Sequence, residues 1–219
     1  ADWFEQVSHW ISIGEYLLWR FTGTRAVSYS VASWSGLLNR RNLTWDDDTL
    51  HLLGFSQSKL SPLIDTDEPA MGLANGWKKR WPALADIPWL PAIGDGAAAN
   101  LGSGCGQVGG NGENPRVALT IGTTGAMRVV VDAEKAAEDT IPDGLWLYRV
   151  DRGRGLLGGA TTEGGNVYSW LQRTLNFPEP QSVDQLHGRI PAQHQLTILP
   201  FVAGERAPGW QGDAKASII

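Results

Sequence analysis

The sequence predicts a mixed α/β fold in two parts, and three observations support this prediction. Residues 10–21 carry apolar side chains at the i, i+3, i+4, i+7 spacing of an amphipathic helix. Residues 117–121 and 126–131 are β-rich runs that flank a short Gly-Thr turn, as in a hairpin. Between these regions, residues 102–115 consist mainly of Gly, Asn, Ser and Gln, which is the composition of a linker.

The first half of the chain is expected to contain several helices. Gly23 is placed to end the helix over residues 10–21. Thr44, followed by Asp47, indicates a capping-box start for a second helix that continues through Leu53. A further short helix is expected near residues 76–81.

Asp95 lies between two glycines at the predicted junction of a strand and a helix. Residues 89–93 are expected to form a short buried strand, and residues 97–101 a helix of small residues. Ligands bind at the carboxyl ends of strands in α/β sheets, and glycines allow a substrate to approach closely. Asp95 is therefore a candidate general base for an attacking hydroxyl. The alternative is a turn Asp that bonds to its own backbone, and the local sequence alone favours it.

Two glycine-rich segments of the second half are candidate phosphate sites. In the turn Gly122-Thr123-Thr124-Gly125, backbone N–H groups and two hydroxyls could contact phosphate oxygens as an anion nest. It is not a Walker A loop, because no Gly-Lys-Ser/Thr follows, and a plain hairpin turn is the alternative. Residues 158–165 lead into a predicted helix whose N-terminus would favour phosphate. Close packing of that helix onto a sheet explains the same glycines equally well.

The other elements expected in the second half are a hairpin, a helix and a last buried strand. The hairpin joins residues 145–150 to 156–160, the helix follows Gly164 and Gly165, and the strand covers residues 196–202. The eleven tryptophans of the chain could stack on sugar rings. Most occur at helix-periodic or strand positions, so core packing is the favoured interpretation.

The composition excludes several classes of protein. With 42% hydrophobic and 19% charged residues among 219, the chain is globular and able to bury a core. A net charge of −5 argues against a nucleic-acid or anionic-membrane surface. No apolar run approaches the roughly 18 residues of a membrane span. The single cysteine, Cys105, rules out an internal disulfide and fits a reducing cytoplasm.

The two ends of the sequence indicate a piece of a longer protein. The chain starts at Ala1 without a methionine and stops in an apolar run at residues 216–219. Natural termini are usually polar and frayed.

Seven motifs in a fixed order resemble those of the FGGY carbohydrate kinases, most closely the gluconate-kinase-like branch. They cover essentially the whole chain, at residues 12–23, 30–33, 36–39, 93–105, 116–126, 158–160 and 204–210. The resemblance implies the actin/hexokinase-like, ribonuclease H-like ATPase superfold, with ATP and sugar in a cleft between two domains. It assigns residues 1–105 to the end of the sugar-binding domain, 106–115 to a hinge and 116–219 to the start of the ATP-binding domain.

The resemblance also implies roles for individual residues. Asp95 corresponds to the family's catalytic base, close to the substrate hydroxyl and to Mg²⁺. Gly122, Thr123 and Thr124 match the second phosphate loop, and Gly159 matches a glycine that lies against the nucleotide phosphates. The first phosphate loop, Asp-x-Gly-Thr/Ser, and the adenine site have no match in this sequence. We therefore expect no turnover from this chain alone.

The activity implied is ATP-dependent transfer of a phosphoryl group to a sugar or sugar acid, with gluconate favoured. Xylulose, glycerol and other polyols are alternative acceptors. A non-catalytic sugar- or nucleotide-binding relative is the alternative of another class, but a pure binder has no need of a base at Asp95. A tryptophan-rich carbohydrate-binding module would be a β-sandwich, which the predicted helices contradict. The oligomeric state is open and includes a homodimer.

Overall fold

A computed structural model describes residues 2–108, 115–138, 140–175 and 195–219. The mixed α/β character expected from the sequence is confirmed. The α-helices are α1 (Asp2–Gln6), α2 (Ile13–Thr22), α3 (Tyr29–Trp34), α4 (Asp47–Leu52), α5 (Asn75–Arg80), α6 (Asp95–Gly102), α7 (Ala133–Ala137) and α8 (Gly165–Thr174). Within the described ranges, no helix is both long and apolar enough to cross a membrane.

The strands are short in the first half of the chain and longer in the second. They are β1 (Val27–Ser28), β2 (Leu38–Asn39), β3 (Thr44–Trp45), β4 (Leu63–Ile64), β5 (Ala70–Met71), β6 (Pro88–Trp89), β7 (Val117–Ile121), β8 (Gly125–Asp132), β9 (Trp146–Arg149), β10 (Arg154–Thr161), β11 (Ile198–Leu199) and β12 (Ser217–Ile218). Strands β7, β8, β10 and β9 form one sheet in that order. The others pair in twos: β1 with β4 in parallel, and β2 with β3, β5 with β6 and β11 with β12 antiparallel.

The chain divides into two compact units. Unit 1 contains residues 1–116, 129–141 and 147–157, and unit 2 contains residues 117–128, 142–146 and 158–219. Of the predicted hinge, residues 109–114 lie outside the described residues, so the hinge at 106–115 stays a prediction.

The core of unit 1 is built around β1 and α3. Its buried members are Val27, Ala32, Leu38, Trp45, Leu50 and Leu60. Partly buried aromatic side chains, including Trp10 and Phe55, pack against this cluster. The burial of apolar surface at this centre is the main stabilising contribution to the unit.

Helix α2 confirms the first predicted helix and begins at a cap that the apolar spacing did not indicate. The Ser12 hydroxyl accepts a hydrogen bond from the Glu15 N–H, and the Glu15 carboxylate accepts one from the Ser12 N–H at 2.7 Å. This reciprocal capping box fixes the start of the helix at Ile13. Gly23 ends the helix as predicted, in the left-handed region at φ 81°.

The predicted cap of the next helix is wrong. Thr44 lies in β3 and pairs with Asn39, so its backbone is still in a strand. Asp46 is the N-cap of α4 instead, and its carboxylate accepts the Thr49 N–H at 2.9 Å. This backbone hydrogen bond lowers the pKa of Asp46 below its usual value.

The hairpins of the second half are confirmed. Strands β7 and β8 are neighbours joined by residues 122–124, and β9 and β10 are neighbours joined by residues 150–153. The second turn is fixed by an ion pair of 2.6 Å between Arg154 and Asp151. The last predicted strand, residues 196–202, is shorter than expected, because β11 covers only Ile198 and Leu199. Both of these side chains are exposed rather than buried.

The tryptophans occupy the core less often than predicted. Trp45 is buried, whereas Trp3, Trp19, Trp34, Trp81 and Trp210 are exposed. Trp77 and Trp81 stack on one another with ring centroids 5.0 Å apart, beside Phe21. Helical and strand periodicity marks the face of an element, but it does not show whether another element covers that face.

Candidate functional site

Asp95 is the first residue of α6 in unit 1, and its side chain is exposed. Its Oδ1 atom accepts the Gly96 N–H at 2.6 Å, and Oδ2 has no hydrogen-bond partner among the described residues. The turn interpretation and the functional interpretation are therefore compatible, because one oxygen holds the backbone and the other is available. The helix N-terminus provides a favourable environment for the negative charge.

The periodicity of α6 sets the direction of this carboxylate. Gly96, Ala97 and Asn100 are buried and form the inner face of the helix. Asp95 lies on the opposite, exposed face with Ala98. A shift of one residue in the helix start would turn the carboxylate toward the buried side.

Two buried serines hold the segment that precedes Asp95. The Ser28 hydroxyl donates to the Ala92 carbonyl at 2.6 Å, and the Gly94 N–H donates to the Ser30 hydroxyl at 3.0 Å. Ser28 and Ser30 are 1% and 0% exposed. Buried hydrogen bonds of this kind are costly to leave unmade, so they fix the backbone directly before the carboxylate.

The predicted strand at residues 89–93 is wrong in its extent. Strand β6 stops at Trp89, and the following residues do not pair with another strand. Pro91 has no N–H for a ladder, and the polar groups of Ala92 and Gly94 bond to the two serine side chains instead. The base candidate therefore follows a clamped loop rather than a strand.

Close packing explains the glycine before the base. A Cβ atom on Gly94 would lie 2.9 Å from Nε1 of Trp34. Two residues earlier in the segment, Ala92 is also closely packed, because a Cβ atom on Gly14 would lie 2.5 Å from its Cβ. The sequence indicated substrate access as the reason for the glycine before Asp95, whereas the structure gives the fit of this segment against its neighbours.

Neither serine was assigned a role from the sequence. Ser28 precedes α3 and caps it, accepting the Val31 N–H at 3.1 Å, which a local pattern could have indicated. Its second bond reaches a residue 64 positions later in the chain. No local signal predicts such a long-range contact.

In unit 2, the loop of residues 122–124 rests on the N-terminus of α8. The Gly122 carbonyl accepts the Gly165 N–H at 2.7 Å, and the Thr123 carbonyl accepts the Asn166 N–H at 3.2 Å. The first-turn donors of α8 are therefore used by the loop. This observation supports the packing interpretation of residues 158–165 over a phosphate site at the helix N-terminus.

The outer side of the same loop presents free donors. The backbone N–H groups and hydroxyls of Thr123 and Thr124 donate no hydrogen bond to any described residue. Both residues are exposed. Two successive N–H groups with adjacent hydroxyls can hold an oxyanion, which is the chemistry expected of a phosphate loop.

Gly159 lies in β10, where packing gives a reason for the absence of a side chain. A Cβ atom there would be 2.9 Å from Cδ2 of Leu145 and 3.0 Å from Cβ of Ala207. The adjacent Ala160 carbonyl accepts the Ala207 N–H at 3.0 Å. The role of Gly159 beside a nucleotide stays a prediction.

The carboxylates of the described residues do not form a ready-made metal centre. No group of three or more His, Cys, Asp or Glu side chains that could hold a metal is found among them. Mg²⁺ is commonly bound by one or two carboxylates together with substrate phosphates. A single exposed carboxylate such as Asp95 fits that mode of binding.

Comparison with known proteins links the first part of the chain to a family of enzymes. Residues 1–102 match the N-terminal domain of the FGGY family of carbohydrate kinases. The chain is 27% identical over 222 residues to a gluconokinase from Bacillus subtilis (strain 168), an alignment that covers 96% of this chain and 42% of that protein. The chain therefore spans about four-tenths of the length of this relative.

Two solved structures from Lactobacillus acidophilus share the fold. The chain matches a gluconate kinase with a TM-score of 0.83 and 28% identity, covering 99% of this chain and 43% of the other. It matches a ligand-bound xylulose kinase with a TM-score of 0.83 and 28% identity, covering 100% of this chain and 43% of the other. The predicted actin/hexokinase-like superfold is thus confirmed, and residues 1–102 carry the match to the FGGY family of carbohydrate kinases.

Proposed function

We propose that the chain is the central part of an ATP-dependent carbohydrate kinase that phosphorylates a hydroxyl group of a sugar or sugar acid. The observation that carries the proposal is Asp95, a carboxylate with one oxygen free, fixed by a backbone segment that two buried serines hold. The two serine hydrogen bonds fix where this free oxygen lies. The match of residues 1–102 to the N-terminal domain of the FGGY carbohydrate kinases supports the same conclusion.

Asp95 acts as the general base. Its free carboxylate oxygen accepts the proton of the substrate hydroxyl. At the same time, the oxygen of that hydroxyl attacks the γ-phosphorus of ATP, and ADP departs. A positioned base of this kind typically contributes about 10²–10⁴-fold to the rate. Because phosphoryl transfer needs little covalent chemistry from the protein, most of the remaining acceleration comes from positioning and electrostatics.

Gly122, Thr123 and Thr124 form the second phosphate loop in this proposal. The support is the pair of unpartnered N–H groups and hydroxyls on Thr123 and Thr124. These donors hold the phosphate oxygens of ATP, and Gly159 allows a close approach of the nucleotide. Asp95 is the residue that holds Mg²⁺, which neutralises phosphate charge when bound.

Gluconate is the acceptor that we favour. A gluconokinase and a gluconate kinase structure are among the relatives of the chain. The xylulose kinase is equally similar in fold, which makes xylulose the main alternative. The proposal includes a cytoplasmic location, a sugar-binding domain up to residue 105, a hinge at 106–115 and an ATP-binding domain from residue 116.

The experiment that tests the function uses the full-length kinase with ATP and Mg²⁺. ADP release is followed with gluconate, xylulose, glycerol or no acceptor. We expect gluconate to give the highest kcat/KM and the reaction without acceptor to be close to background. If no acceptor supports turnover but sugar or ATP still raises the unfolding temperature, the protein is the non-catalytic binding relative instead.

A further inference from the structure

A cavity in unit 1 has the features of a ligand site outside the kinase chemistry. Its volume is about 320 Å³, at the lower end of the range for small-molecule sites. Residues from three parts of the chain line it, among them Arg25, Thr44, Trp45, Gln57, Leu60 and Ser61. Neither Asp95 nor the serines that hold its segment are among the lining residues.

Arg25 is the charged group of this cavity. It follows the end of α2 and precedes β1, and its Nε atom is buried without a hydrogen-bond partner. The guanidinium makes no hydrogen bond or ion pair with any described residue. The residue as a whole is half-buried, and Nε is its buried donor. A buried donor without a partner is costly, so an acceptor from outside the chain would relieve it.

Ser61 supplies a second donor in need of a partner. The residue is 2% exposed, and its hydroxyl is buried without a hydrogen bond. Its position is fixed from the backbone side, because its carbonyl accepts Nε1–H of Trp45 at 3.1 Å. The indole bond therefore holds Ser61 in the cavity wall while leaving the hydroxyl available.

The charge of the lining selects the class of ligand. No Asp or Glu is found among the described residues that line the cavity, so Arg25 has no counter-charge there. Water can satisfy a donor, but it does not neutralise the charge. A guanidinium matches carboxylate and phosphate oxygens through two parallel N–H donors. Leu60 and Trp45 contribute an apolar wall for the carbon skeleton of a ligand.

We propose that this cavity binds a small organic anion, whose carboxylate or phosphate oxygens accept hydrogen bonds from Arg25 and Ser61. The guanidinium supplies the charge and the fork of donors, and the serine hydroxyl supplies a third bond. The cavity volume is sufficient for a small organic anion of this kind.

The test measures the unfolding temperature of the 219-residue chain against inorganic phosphate or malonate at constant ionic strength. A saturable rise is expected with at least one of the two anions, because ligand binding stabilises the native state. Saturation by phosphate alone identifies a phosphate site, and saturation by malonate alone a carboxylate site. No saturable rise with either anion would overturn the proposal.

Two charge-removing variants test whether the anion binds in the cavity. Arg25→Gln is expected to weaken the apparent affinity by about tenfold or more, the loss of a charge-assisted pair. Arg20→Gln removes the same charge from an exposed position of α2 and is expected to stay within about twofold of the wild type. Equal affinity in Arg25→Gln and the wild type would contradict the proposal.

A second pair of variants separates the contribution of the charge from that of the individual hydrogen-bond donors. Arg25→Lys keeps the charge but loses the fork of donors, so we expect an affinity between those of the wild type and Arg25→Gln. Ser61→Ala removes one donor without a change of charge and is expected to weaken binding by about threefold to tenfold. Circular dichroism establishes that each variant is folded, and a folded Arg25→Lys protein with wild-type affinity would exclude bidentate recognition.

Discussion

The segment before Asp95 in unit 1 and the loop of residues 122–124 in unit 2 are held in different ways. Side chains hold the first, through hydroxyl groups that are distant in sequence. Backbone groups hold the second, through carbonyls that accept N–H groups of α8. The first therefore depends on which side chains are present, and the second on where side chains are absent. Removal of a serine hydroxyl is therefore expected to destabilise the segment before Asp95. Addition of a side chain at a glycine is expected to destabilise the loop of residues 122–124.

The largest effect on stability is expected from Gly164→Ala. A Cβ atom on Gly164 would lie 2.6 Å from the Thr124 carbonyl carbon and 2.8 Å from the Gly122 oxygen, so the backbone must move. We expect a loss of about 3 kcal/mol, the upper end of the range for overpacking. Urea unfolding measures the loss, and hydrogen exchange measures the opening of the loop.

Gly122→Ala is the matched control. The closest atom to a Cβ there is the Thr124 oxygen at 3.9 Å, an ordinary contact. We expect a change of within about 0.5 kcal/mol. Equal losses in the two variants would show that the loop does not depend on empty space at Gly164.

Ser30→Ala breaks the other kind of support. It leaves the Gly94 N–H without its buried acceptor, so we expect a loss of about 2 kcal/mol. Ser58→Ala, at an exposed position, is the control and is expected to change stability by no more than about 0.5 kcal/mol. The free energy of unfolding of both variants, measured in urea, tests this expectation. A negligible loss in Ser30→Ala would mean that this hydroxyl does not hold the segment.

Ser12→Ala probes a support that is local in sequence. It removes the capping box of α2, and we expect a loss of about 1 kcal/mol. Ser12→Asp keeps an acceptor at the cap and should retain most of the stability. The midpoints of thermal unfolding compare the two variants, and equal losses would exclude the cap as the cause.

The smallest expected effect is a pH dependence at α4. The hydrogen bond from the Thr49 N–H lowers the pKa of Asp46 from 3.8, so its stabilising contribution is present above that value. The contribution is lost as the pH falls below 3.8 through the lower pKa of the folded state. Amide hydrogen exchange of α4 at pH 3 to 5 should show this loss, and Asp46→Asn should not. An unchanged pH dependence in Asp46→Asn would contradict the assignment.

The features that the sequence predicted correctly depend on short spans of chain. Gly23 ends α2 as expected, because the left-handed conformation of a helix end is a local requirement. The turn at residues 122–124 was also predicted correctly, because Gly and Thr residues between two β-rich runs are a local pattern. The start of α4 was misplaced, because pairing of Thr44 with Asn39 overrides the capping pattern. The support of Asp95 could not be predicted, since Ser28 and Ser30 meet Ala92 and Gly94 only through the tertiary fold.

Asp95→Asn in the full-length protein, with the proposed kinase activity as the readout, tests the central claim most directly. The substitution keeps the size of the side chain and an oxygen that can accept the Gly96 N–H, but removes the base. We expect kcat to fall by about 10²-fold or more, while the dissociation constant of the sugar changes by no more than about tenfold. Turnover close to that of the wild type would contradict the assignment of Asp95 as the base.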